Sequence, residues 1–155
     1  MKLGNLKRLL VVRGATSSGK TAILNKIYAD LKIAYPNNVP LIDNAIFNNK
    51  TKVDDHQLVM KGVSGRMTAV CTLGDDANWI VKAFELAERF SCEVLVMAVS
   101  IPARATTVPI AQIAFDEIVS SNALTSNMSS TKKLKPKPQA GYIDQTIVSK
   151  IWKMM

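Results

Sequence analysis

Leu9-Leu10-Val11-Val12-Arg13-Gly14-Ala15-Thr16-Ser17-Ser18-Gly19-Lys20-Thr21 runs from four apolar residues straight into the spacing G-x-x-x-x-G-K-T. A continuous apolar run of this kind is what a parallel strand buried on both faces requires. After the spacing, Ile23, Leu24, Ile27 and Leu31 recur at helical intervals until Pro36 stops the pattern. The stretch therefore reads as strand Leu6–Arg13, a tight loop, and helix Thr21–Ile33. The loop has the chemistry of a phosphate cradle. Backbone N–H groups curl around an anion only where no Cβ intrudes, which Gly14 and Gly19 permit, and Ala15, Thr16, Ser17 and Ser18 supply the intervening amides. Lys20 is placed to reach β- and γ-phosphate oxygens, Thr21 to offer its hydroxyl to Mg²⁺, and the helix to aim its positive end at the anion.

Working outward, Pro36-Asn37-Asn38 and Pro40 open an irregular polar stretch through Asn48-Asn49-Lys50, read as a loop. Gln57–Lys61 and Arg66–Cys71 are strand-like segments separated by Gly62-Val63-Ser64-Gly65, the pattern of a hairpin whose turn needs positive φ. Trp79, Ile80, Ala83, Phe84 and Ala87 mark the buried stripe of a helix over Asn78–Phe90, which Asp75 or Asp76 could cap. Glu93–Val99 is a second continuous apolar run, expected as a central parallel strand. A loop over Ala103–Thr107 and a helix over Val108–Val119 follow. Residues 125–141 are rich in Ser, Lys and Pro and read as a basic linker. Ile143, Ile147 and Ile151, with Val148, Trp152 and Met155, suit a C-terminal amphipathic helix docking on the core or on a partner. The expected organisation is a nucleotide-binding domain over residues 1–124, the linker, and the helix in 142–155.

Composition bounds this reading. The 155 residues are 48% hydrophobic and support a single core. The N-terminal apolar stretch is too short for a signal peptide or membrane span. Cys71 and Cys92 have no CxxC partner and sit among apolar residues, so reduced buried thiols and a cytoplasmic setting are expected. The formal charge of +8 permits polyanionic partners, with Lys132, Lys133, Lys135 and Lys137 forming either a solvated tail or an arm that would attract phosphate backbones or a protein partner.

On these residues the chain resembles the P-loop NTPases. Val12-Arg13-Gly14 followed by Ser17-Ser18-Gly19-Lys20-Thr21 is similar to the opening of small nucleoside and polynucleotide kinases. The chain also resembles short bacterial and phage P-loop proteins in which the loop is followed by a hairpin, a Gly-Asp turn, a helix and a strand. The resemblance spans about the first 110 residues. It implies an α/β fold of three layers, a mostly parallel P-loop sheet with a β-hairpin and helices on both faces, and it implies ATP and Mg²⁺ as ligands. It also implies that Gly74 offers its N–H to the γ-phosphate and that Asp75 holds the metal through water. Helix capping alone also explains Asp75.

Phosphoryl transfer needs an acidic group near the metal, commonly at the end of an apolar strand, but the Glu93–Val99 run ends in Ser100, which leaves Asp75 and Asp76 as candidates. Arg104 follows that run, where a cation could stabilise transferring oxygens, or it simply faces solvent. Arg13 and Arg66 are the other arginines that could approach the site. Thr51-Lys52-Val53-Asp54 matches a guanine-reading pattern but precedes the hairpin rather than following later strands, so ATP is favoured over GTP. Asp43, Asp54 and Asp55 are the carboxylates of the long loop that could deprotonate a hydroxyl, and His56 reads as a lone exposed histidine. Lys20, Asp75 and Arg104 form the expected catalytic set. The function expected is a small kinase-like phosphotransferase or ATPase. A nucleotide-dependent switch acting on a protein or nucleic acid is the alternative.

Overall fold

The computed structural model describes residues 5–14, 19–48, 53–74, 77–100, 124–125 and 145–155. The chain order is β1 (Arg8–Gly14), α1 (Lys20–Ala34), β2 (Ile42–Asn48), β3 (Val53–Val63), β4 (Arg66–Cys71), α2 (Ala77–Arg89), β5 (Val94–Ser100), the two-residue β6 (Leu124–Thr125) and α3 (Gln145–Met154). The strands form one mixed sheet ordered β2-β3-β4-β5-β1-β6. β1 pairs in parallel with β5 and β6, and β4 in parallel with β5, whereas β2–β3 and β3–β4 are antiparallel. The fold is therefore α/β.

Strand parity divides the core cleanly in two. Leu9, Val11, Val59, Ala69, Cys71, Leu95, Met97 and Val99 pack under α2 with Ile80, Ala83, Phe84 and Ala87. Leu10, Val12, Leu58, Met60, Val70, Val96 and Ala98 face the other way, onto Ile23, Leu24, Ile27 and Leu31 of α1 and onto Val148 and Ile151 of α3. Because successive side chains of a strand point to opposite faces, a strand covered by helices on both sides must be apolar at every position. β1 from Leu9 to Val12 and β5 from Val94 to Val99 meet that requirement, and every one of those side chains is buried.

The hairpin turns at Ser64-Gly65, both with positive φ, and Gly62 (φ 85°) sits where the β3–β4 register shifts. At the amino end of the sheet, Glu93 knits three elements. Its carbonyl accepts from the N–H groups of Lys7 and Arg8, its own N–H donates to the Met67 carbonyl, and its carboxylate pairs with Lys7 at 3.0 Å.

Two expectations change here. The stretch expected as a long irregular loop contains the seven-residue strand β2, and β3 begins at Val53 rather than Gln57, so the hairpin is one half of a three-stranded antiparallel ribbon. Polar residues such as Asp43 and Asn44 are tolerated because β2 is an edge strand and both positions are exposed. Trp79 is not a core residue of α2. It is half-buried beneath Lys82, whose ammonium lies 4.2 Å from a ring centroid. The expected loop over Ala103–Thr107, the helix over Val108–Val119 and residues 126–141 of the linker lie outside the described residues. Among the described residues no helix is long and apolar enough to cross a membrane.

Candidate functional site

The carboxyl ends of β1 and β5 lie side by side, with Gly14 paired to Ser100 and Val12 to Ala98. Their outgoing connections leave in opposite directions. From β1 the chain passes through α1 to β2 at the far edge, and from β5 it leads past β1 to β6. In open α/β sheets the crevice at such a reversal is the usual ligand position. β1 ends at Gly14 and α1 begins at Lys20, so both the strand end and the helix start lie at this edge of the sheet.

Gly19 is the N-cap of α1 in a left-handed conformation (φ 94°, ψ 12°), and among the described residues no side chain caps the helix end. Its carbonyl accepts the first helical bond, from Ile23 N–H at 3.0 Å. No acidic residue stands in the first turn, so the positive end of the helix meets no carboxylate of its own turn. Lys20 is only 6% exposed, and Thr21 beside it is half-buried.

Gly74 comes to the same end of the sheet. A Cβ on it would collide with the carbonyl oxygen of Ala98 and stand 3.3 Å from the backbone nitrogen of Val99, so no side chain fits where the chain crosses the end of β5. Gly14, Gly19, Lys20, Thr21 and Gly74 are thus gathered around the ends of β1 and β5. Ala15, Thr16, Ser17, Ser18, Asp75, Asp76 and Arg104 lie outside the described residues.

Other candidates are redistributed. Arg66 opens β4 beside the turn, at the opposite end of the sheet from Gly74, and its charge helps to hold the Glu93 carboxyl below its ordinary range, behind the larger effect of Lys7. Asp43 lies on β2 and is committed: Lys32 Nζ donates to it at 2.7 Å and Tyr28 Oη at 2.6 Å. Burial alone would raise its carboxyl, but these two donors hold it below its usual value. His56 is half-buried on β3 rather than alone in a loop. Its ring stacks on Tyr28 with centroids 4.0 Å apart, and Nδ1 donates to Asn25 Oδ1 at 3.0 Å. Asp54 anchors the same end of β3, its carbonyl accepting from Asn25 Nδ2 at 3.2 Å.

Asp55 is fully buried and accepts a 2.8 Å hydrogen bond from Thr72 Oγ1. It is no solvent-facing base. Thr72 is a residue that sequence reading passed over, and only its position directly after an apolar strand hinted at it. Cys71 and Cys92 are both free thiols in the core, where burial pushes each up to about 12. On the α2 side of the ribbon lies an open cleft of about 590 Å³, lined by Trp79, Lys82, Arg89 and Gln57 among others. No protein-family model, curated protein or solved structure matches this chain.

Proposed function

We propose that this chain is a P-loop protein that binds ATP with Mg²⁺ over the carboxyl ends of β1 and β5 and transfers or hydrolyses the γ-phosphate. One observation carries the reading: the spacing G-x-x-x-x-G-K-T spans the end of a buried strand and the start of a helix, at the reversal point of the sheet. A chance match to the pattern has no reason to fall there.

The residues fit the ligand. Gly19, in the left-handed region at the N-cap, makes no side-chain cap among the described residues, and a helix start of this kind suits a polyphosphate. Lys20, largely withdrawn from water, would neutralise β- and γ-oxygens more effectively than a solvated amine. Thr21 would give Mg²⁺ its hydroxyl, and Asp75 would hold the ion through water. Among the described residues no three His, Cys, Asp or Glu side chains cluster as for a metal cage. Mg²⁺ keeps several waters and takes phosphate oxygens alongside one or two protein donors. When bound, the ion supplies charge neutralisation for the transferring group. Arg104 would add a cation from the segment after β5. The Lys132–Lys137 arm would bring a polyanionic or acidic partner to the protein in its cytoplasmic setting.

The reading is tested by following labelled γ-phosphate from ATP with Mg²⁺, alone and with nucleosides, oligonucleotides or duplex DNA. Label on an acceptor identifies a phosphotransferase, and label released only as inorganic phosphate identifies an ATPase. Retained ATP binding without release identifies a nucleotide-dependent switch. Absence of ATP binding overturns the proposal.

A further inference from the structure

We propose that Thr72, held by the buried carboxylate of Asp55, is a positioning residue that fixes the Thr72–Gly74 segment for recognition of the γ-phosphate, so that the protein distinguishes ATP from ADP through this pair. The inference rests on the nucleotide reading given above.

Thr72 directly follows β4, and its side chain is fully engaged. Its Oγ1 accepts from the N–H of His56 at 2.8 Å and donates to Asp55 Oδ1 at 2.8 Å, while its own N–H donates to the His56 carbonyl at 3.0 Å. Thr72 is 1% exposed and Asp55 is not exposed at all. Two residues later Gly74 is pressed against the Ala98 carbonyl. A segment of three residues is thus fixed at both ends and has little freedom to drift from the end of β5.

Stability alone does not call for this arrangement. Burying a carboxylate is unfavourable unless its bonds are well made, and an apolar pair of the same shape is frequently as stable or more so. The neighbouring Thr68 makes the contrast. Its hydroxyl is also buried, on the strand that Thr72 follows, yet it has no hydrogen-bond partner among the described residues. Thr72 is therefore distinguished from a threonine that merely fills core volume.

The pair also links the two sides of the site. His56, whose backbone holds Thr72, is tied through its ring to Asn25 of α1, and Asn25 in turn holds the Asp54 carbonyl. Asn25 lies one helical turn beyond Thr21. The helix that would carry the metal-side residues and the segment that would face the γ-phosphate are braced against the same three residues of β3, 54–56. Preorganisation of that kind favours a ligand group that must be met by a fixed N–H, and the α- and β-phosphates, which on the nucleotide reading are met elsewhere, would be unaffected.

The test is equilibrium binding of Mg²⁺-ATP and Mg²⁺-ADP to the full chain, by titration calorimetry, for the native protein, Thr72→Val, Thr72→Ser and Thr68→Val. The native protein is expected to prefer ATP. Thr72→Val is expected to weaken ATP by about tenfold, the size of one hydrogen bond to a charged group, with ADP changed by less than about twofold. Thr72→Ser restores the preference, and Thr68→Val leaves it unchanged. Should Thr72→Val not fold, Asp55→Asn, which keeps an acceptor but removes the charge, gives a smaller loss of the same sign. Equal weakening of ATP and ADP, or an unchanged ratio, overturns this inference while leaving the nucleotide reading intact. A native protein that binds neither nucleotide overturns both.

Discussion

The parallel centre of the sheet and the β2–β3 ribbon at its edge are built by opposite rules. β1 and β5 are sandwiched between helices, and their side chains from Leu9 to Val12 and from Val94 to Val99 are buried on both faces. β2 belongs to the same sheet, yet Asp43, Asn44, Ala45 and Phe47 are exposed, and the one partner its order allows is β3. The difference teaches where this molecule stores stability and where it stores polar chemistry. The centre contributes apolar burial and brings the carboxyl ends of β1 and β5 side by side. The ribbon contributes Asp54, Asp55 and His56, which act on the rest of the molecule through hydrogen bonds.

The largest effect that sharpens this contrast is in truncation of aromatic residues. Phe84 is 1% exposed beneath the sheet, and Phe47 on β2 is 61% exposed. Phe84→Ala is expected to destabilise by about 3–5 kcal/mol, and Phe47→Ala by no more than about 0.5 kcal/mol, in denaturant unfolding. Equal losses would mean that the ribbon packs against something beyond the contacts described here. Gly74→Ala comes next. Its methyl would collide with the Ala98 carbonyl, and the backbone shift that relieves the clash is expected to destabilise by about 1–3 kcal/mol.

Smaller effects separate the two regions' polar groups. Thr68→Val removes a buried hydroxyl without a partner among the described residues and is expected to stabilise by up to about 1 kcal/mol, seen as a raised unfolding midpoint. Asp43→Asn on the ribbon is expected to destabilise by less than about 1 kcal/mol near neutral pH, because the Lys32 pair is at the surface. The sign of its pH dependence follows from the depressed carboxyl. The contribution is present above the ordinary carboxylate range near about 4 and is lost as pH falls through the lower native value. The difference between native protein and Asp43→Asn should therefore shrink in acid, and a difference that grows in acid would contradict the assigned ion pair.

The same contrast explains how much the sequence discloses. β1, α1, β4, α2 and β5 announce themselves, because a strand covered on both faces leaves an unbroken apolar run, as in Leu9–Val12, and an amphipathic helix leaves a stripe such as Ile23, Leu24, Ile27 and Leu31. The turn at Ser64-Gly65 is legible because positive φ selects its residues. β2 is not legible: Asp43 and Asn44 satisfy a lone edge strand and a loop equally well, and nothing local distinguishes them. Once β2 is read as loop, Asp55 and His56 fall into the loop with it, and their burial cannot be anticipated. Trp79 follows the helical stripe of α2 but sits where the helix overhangs the ribbon, so its ring is shared between cleft and solvent. At the site, Gly14, Gly19, Lys20 and Thr21 are legible from their spacing. Thr72 is not, because its importance arises from a partner 17 residues earlier in the chain.

The claim that the loop after β1 holds a nucleotide is tested most directly by calorimetric titration of Mg²⁺-ATP into the native protein and into Lys20→Ala, with unfolding midpoints measured on both. The account predicts saturable binding by the native protein and a loss of more than about tenfold in affinity for Lys20→Ala, since the ammonium proposed to meet the β- and γ-oxygens would be gone. Equal affinity in a folded Lys20→Ala protein would contradict it.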